Sequence, residues 1–292
     1  MALWIAILLG AIQGVFMFLP VSSTAHMVLT EHWLIGRGHQ LPAPDSAEMI
    51  LFNLVVHVGT LISIVVVFRR SLWHFTHRLL QGAWEWAARG RSRTEAGWPL
   101  YPRLFLLGML SVLWTGVIGL SLKAAFEWIF ATPSAVAVTL IFTGVVLYWT
   151  DKLPPRRRGL RQTGPGTATI IGIAQGFALM PGLSRSAMTI VFGLFAGLKR
   201  RWAAEYSFFL AIPTICAATL LQGLEVWQLG LPTTISGAAM VTGFVVAAVV
   251  GILSLKMVVY FLYRAQLKIF SFYVWALAAA ILTGVIHLPM GG

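Results

Sequence analysis

Charge is what this sequence has least of. Only 10% of its 292 residues are Asp, Glu, Lys or Arg, where a soluble domain carries roughly a quarter. There is too little polar sequence to coat the apolar runs, so a soluble globular protein is excluded. Cysteine is nearly absent: Cys216 is the only one. A disulfide framework and cysteine-ligated metals are therefore out, and Cys216, inside an apolar run, reads as a small buried hydrophobe. No basic segment precedes the first apolar run, so a cleaved signal peptide is not expected.

What is present is apolar sequence, 58% of the chain, in stretches near the length of about 20 residues that crosses a bilayer. The expected fold is an all-α polytopic membrane protein, one integral membrane domain over 1–292. Six spans are expected at roughly 47–68, 104–123, 133–150, 202–222, 233–255 and 269–287. Two further segments, 2–35 and 166–198, are broken by Pro20 and by Pro181-Gly182. Each half is too short to span, which predicts two re-entrant helix hairpins lining a cavity within the protein.

The net charge of +12 could suggest nucleic acid, but in a membrane protein basic residues crowd cytoplasmic loops, and no nucleic-acid partner is expected. Arg69, Arg70, Arg78, Arg89, Arg91, Arg93 and Arg103 share one loop. Lys152, Arg156, Arg157, Arg158 and Arg161 share another, Lys199, Arg200 and Arg201 follow the second broken segment, and Lys256, Arg264 and Lys268 precede the last span. Six spans and two hairpins put all four clusters on one side, the cytoplasmic one, and both termini outside. Arg37, Lys123 and Arg185 are left over. His74 and His77, in the first basic loop, are expected to meet anionic headgroups.

The hairpins then enter from opposite faces, and the chain carries a matching repeat. "GAIQGVFMFLPVSSTAHM" from Gly10 is similar to "GIAQGFALMPGLSRSAMT" from Gly172. Both begin Gly-x-x-Gln-Gly, break at proline and continue into a serine-rich turn. Glu48 and Glu205 open the spans that follow. An inverted-topology repeat of about 1–125 and about 165–292 is expected, as in transporters.

The strongest chemical feature is "PGLSRSAMT", Pro181 to Thr189. Arg185 lies in apolar sequence, where a charge costs about 2.5 kcal/mol or more and signals function. With Ser184, Ser186, Thr189 and the amides of a helix start, it makes a receptor for phosphate. A structural pairing of Arg185 with Glu205 is the competing reading. In the first hairpin, Ser22, Ser23 and Thr24 read as caps of the helix after Pro20. His26, three residues beyond Ser23, shares its helical face and can serve as base, acid or nucleophile toward phosphorus. His57 in "NLVVHVGT" is either a supporting partner or a satisfied lone histidine.

The segments "FLPVSSTAH" and "PGLSRSAMT" resemble the two signature segments of the bacterial undecaprenyl-diphosphate phosphatase family, the bacitracin-resistance type. "FNLVVHVGTLISIVVVFRR" and "AEYSFFLAIPT" also resemble family segments, in order and over nearly the whole chain. The resemblance implies a hydrolase that removes the terminal phosphate of undecaprenyl diphosphate and recycles the lipid carrier for cell-wall synthesis. It implies a multi-pass protein of the bacterial plasma membrane, with a site facing outside and a divalent cation, Mg or Ca, as cofactor.

The implied partners are the polyprenyl diphosphate lipid and membrane lipids, with a homodimer left open. By the same resemblance Arg185 binds the diphosphate, and Ser23 and His26 are the nucleophile and acid–base candidates in an undecided order. Ser22, Ser184, Ser186 and Thr189 hold phosphate oxygens; Gln13, His57 and Glu205 support the site; Glu48 or Glu205 is the candidate metal ligand. The chain departs from the family pattern at Met17 and Asn53, where members carry carboxylates. Methionine does not ligate a hard cation. That departure motivates the alternative of a non-hydrolytic polyprenyl-phosphate binding protein or flippase of the same fold.

Overall fold

The structure, a computed structural model, describes residues 1–44, 46–88, 99–125, 133–228 and 235–285. Among them are eleven α-helices, one short 3-10 turn at Leu160–Gln162 and no strand. Arg89, Arg91 and Arg93 of the first basic cluster lie outside the described residues, as does the side chain of Lys123.

Both broken segments form helix pairs. Helices α1 (Leu3–Phe16) and α2 (Ser23–Gly36) flank the first break, and Trp4 meets His39 edge-on at 5.0 Å. The two ends of this hairpin therefore come together. Helices α7 (Pro165–Phe177) and α8 (Arg185–Phe195) flank the second. Its mouth is closed where Arg158 pairs with the 197–199 backbone, Arg158 N–H to Gly197 O at 3.1 Å and Lys199 N–H to Arg158 O at 3.0 Å.

Five helices are long and apolar enough to cross a membrane: α3 (Ala47–Val67), α5 (Leu100–Ala125), α6 (Pro133–Asp151), α9 (Arg200–Gln228) and α10 (Gly237–Tyr263). They match five of the six expected spans, and the chain is a polytopic helical membrane protein. The sixth differs. α11 (Lys268–Leu282) has 15 residues, about 22 Å of helix, less than the hydrocarbon core of about 30 Å; residues 286–287 of the expected span lie outside the described region.

The first basic loop also differs from expectation. It contains α4 (Arg69–Ala88), a helix with no buried residue. Trp73, Leu80 and Trp84 are exposed on it. A propensity reading missed it because Arg and His interrupt every apolar run. Cys216 is exposed, not buried. α9 turns that face outward, where an apolar thiol needs no protein partner.

The packing of the hairpins is reciprocal. α1 lies on α10, and α7 lies on α5. A Cβ on Gly10 would stand 2.6 Å from Gly243 O, and one on Gly172 would stand 2.6 Å from Ser111 O. Each repeat's first helix thus needs glycine to approach a helix of the other repeat, the small-residue contact that membrane helices use. The tips meet in one core: Met17, Phe18 and Val21 of the first share it with Ala187, Ile190 and Phe208. The mouth of the first hairpin packs instead with Ile235 and Ala239 at the start of α10.

The basic clusters are joined at the other end. Asp151 accepts from the Lys268 N–H at 2.8 Å and pairs with Arg200 at 3.9 Å. Arg103 donates to the carbonyls of Arg161 and Thr163.

Candidate functional site

The two hairpin tips present different chemistry. In the second, Gly182 has φ +86°, and a Cβ there would fall 2.1 Å from Thr139 Oγ1. Only glycine fits. Thr139 donates to Pro181 O, and Thr143 donates to Gly182 O at 3.2 Å, so α6 grips the tip. Ser184 caps α8 by accepting from Ala187 N–H at 3.4 Å, and its hydroxyl lies 3.2 Å from that of Ser186. Thr189 donates to Arg185 O at 2.8 Å and also meets Ser207, which the sequence reading missed. The hydroxyls expected to line a phosphate site are thus gathered around the start of α8, though Thr189 is already engaged.

Arg185 is the exception in this satisfied tip. Its terminal guanidinium nitrogens are buried, and neither has a hydrogen-bond partner. The competing reading, a pair with Glu205, does not hold: Glu205 accepts from Arg201 Nε at 2.9 Å one turn away. A buried, unpaired cation is strongly unfavourable, and an anion arriving there removes the penalty.

In the first tip, Ser22 is the N-cap of α2 with φ 69°, and its side chain makes no cap bond. Ser22, Ser23 and Thr24 were expected to cap this helix; the amides of its first turn are left without that hydroxyl. His26 is buried and doubly held. Its Nδ1 lies 2.7 Å from Ser22 O and its Nε2 2.6 Å from Tyr273 Oη on α11. Phe16 stacks on the imidazole at 3.8 Å. Tyr273 and Phe16 had no signal in the sequence, since an aromatic in an apolar span reads as packing. Ser23 makes no hydrogen bond to His26 among the described contacts.

A third group lies behind these tips. His57 Nδ1 donates to Asn53 O at 2.8 Å. Asn53 donates from Nδ2 to Glu31 at 3.3 Å. Glu31 is 1% exposed. It is an ionisable residue in the first hairpin, a feature that marks function by default and that the motif reading passed over. The Asn53 Oδ1 and Gln13 Oε1 atoms are buried without partners; Gln13 donates only to Met17 Sδ, at 3.5 Å.

Among the described residues no three His, Cys, Asp or Glu side chains converge as a metal site. The oxygens of Glu31, Asn53 and Gln13 are nevertheless the donor type that a hard cation takes, and two of them are orphaned. Glu48, on the first turn of α3, and Glu205, already ion-paired, offer no such orphaned atom.

Comparison with known proteins fits these features. The family described as bacitracin resistance protein BacA matches residues 6–280. An undecaprenyl-diphosphatase of Halorhodospira halophila is 77% identical over 290 residues, 99% of this chain and all of the relative. One of Alkalilimnicola ehrlichii is 71% identical over 288 residues, covering 99% and 98% of the two chains. One of Moorella thermoacetica is 34% identical over 276 residues, covering 94% and 95%.

Proposed function

This chain belongs to the bacitracin resistance protein BacA family, and we propose that it hydrolyses undecaprenyl diphosphate to undecaprenyl phosphate and phosphate. The observation that carries this reading is the buried Arg185 guanidinium without a partner, set beside a helix start rich in hydroxyls. It is a receptor waiting for a dense anion. The non-hydrolytic carrier is not favoured, because relatives identical over most of the chain are named as diphosphatases.

Arg185 and the N-terminus of α8, with Ser184 and Ser186, hold the diphosphate. The uncapped amides of α2, with Ser22 and Ser23, receive the other phosphate face. His26 carries its hydrogen on Nδ1, because its neighbour there is a carbonyl that can only accept. Its basic atom is Nε2, which takes the proton of the attacking oxygen. That oxygen belongs to Ser23 or to water: Ser23→Ala abolishes turnover in the first case and slows it in the second. His57, its ring fixed by Asn53 O, is a supporting residue on α3.

A divalent cation, Mg or Ca, supplies charge neutralisation to the diphosphate when bound. Glu31 and Asn53, in contact at 3.3 Å, are the residues suited to hold it, and the free oxygen of Gln13 is a further donor of the right type. The site opens toward the outer face of the bacterial plasma membrane, a reading supported by the basic end lying opposite the mouth of the first hairpin.

The test is phosphate release from undecaprenyl diphosphate by purified protein, with and without Mg²⁺. Release that needs the cation is expected. No release with any divalent cation overturns the hydrolase reading.

A further inference from the structure

The base of the proposed reaction is closed in this structure by a tyrosine. Ser22 O occupies His26 Nδ1, so the neutral ring has one lone pair, on Nε2, and the Tyr273 hydroxyl donates to it at 2.6 Å. A nitrogen that accepts this bond cannot at the same moment accept a proton from an attacking oxygen.

Something must move, and the surroundings say which group. The imidazole is pinned by two hydrogen bonds and by Phe16, stacked at 3.8 Å with an interplanar angle of 17°. The α11 backbone is also held. Trp275, two residues on, donates to Ile141 O at 3.1 Å, and the start of α11 is tied to Asp151. The Tyr273 side chain, in contrast, is only partly packed and can swing its phenol oxygen off Nε2 by rotation about its own side-chain bonds. Tyr273 is also at a boundary: it is 43% exposed, while His26 is 7% exposed.

We propose that Tyr273 is a substrate-binding residue that gates His26: its hydroxyl closes Nε2 until a diphosphate oxygen draws the hydrogen bond away. The proposal rests on the hydrolase reading for the identity of that anion. A phosphate oxyanion is the stronger acceptor, because a hydrogen bond to a charged group is shorter and about twice as strong as a neutral one. The exchange frees the base only when substrate is present, and the same hydroxyl then holds the substrate. A tyrosine that merely fastens α11 to the first hairpin would touch neither the reactivity of His26 nor the affinity for substrate.

The test uses the full-length protein in detergent and the variant Tyr273→Phe, which keeps the ring beside Phe16. Carbethoxylation of His26 by diethyl pyrocarbonate, followed by mass spectrometry of its peptide, reads whether Nε2 is free. Without substrate, the variant is expected to react about tenfold faster than the wild type, the factor of one lost hydrogen bond. Steady-state kinetics on undecaprenyl diphosphate are expected to show KM raised about tenfold with kcat changed less than about threefold.

Equal carbethoxylation rates overturn the gate. A fall in kcat at unchanged KM overturns the substrate contact. If Tyr273→Phe does not fold, Tyr273→Leu is held to the same two readouts. If neither wild type nor variant releases phosphate, the hydrolase reading fails, and the modification arm still judges the gate without it.

Discussion

The two hairpins are built on one sequence pattern and do opposite work. The second is finished as a structure. Its cap is filled by Ser184, its turn is gripped by Thr139 and Thr143, and its glycine cannot be replaced. Among its described residues it leaves the Gln175 Oε1 atom and, at the tip itself, the Arg185 guanidinium without partners. The first is left open. Its N-cap serine makes no cap bond, and its histidine is held at Nδ1 by the carbonyl of that serine and at Nε2 by Tyr273 from α11. A rigid cationic receptor faces a tip whose hydrogen bonds can be exchanged. On the proposed reading, the difference between the two similar segments divides binding from chemistry.

The sharpest way to break this comparison is at the receptor. Arg185→Ala is expected to lower kcat/KM about 1,000-fold or more, since a charge-assisted anchor aimed at a phosphate is lost; phosphate release from undecaprenyl diphosphate measures it. At the other tip, His26→Ala is expected to cost about 100- to 1,000-fold in kcat, within the range for a general acid–base group.

The frame of the second tip can be broken at its turn. Gly182→Ala forces a side chain into positive φ, which alone costs about 1–2 kcal/mol, and into Thr139. A lowered unfolding midpoint in detergent is expected, with no comparable loss for an alanine at Gly164, where a Cβ meets open space.

The cation reading gives the smallest effects. Glu31→Gln is expected to raise the Mg²⁺ concentration for half-maximal activity about tenfold. Met17→Glu, which returns a carboxylate beside Gln13, is expected to lower it about threefold. Titrations of Mg²⁺ against initial rate decide both. An unchanged midpoint in Glu31→Gln removes Glu31 from the cation site.

Much of this was legible in order along the chain. Pro20 and Pro181-Gly182 announce the two breaks because proline lacks the amide that a continuing helix needs. The span assignments follow from apolar length, and Arg185 is conspicuous because nothing around it is charged. The sequence was weaker where burial is decided by neighbours far along the chain. Cys216 looked buried and faces outward. The segment after Phe68 was read only as a basic loop and holds α4. Glu205 looked like a site acid and is neutralised by Arg201, a pairing at i, i+4 that is visible in the sequence once the segment is known to be helical.

By itself the sequence determined the class of the protein, the two broken hairpins and the residue types of an anion receptor. These follow from hydropathy, proline and the rarity of charge, which are properties of short windows. Only the tertiary structure decided that Arg185 is unpartnered, that Glu31 meets Asn53 22 residues away, and that Tyr273 closes a histidine 247 positions earlier. The reason is physical: a hydrogen bond reaches about 3 Å in space, whatever the distance along the chain, and helix packing alone brings such groups within that reach.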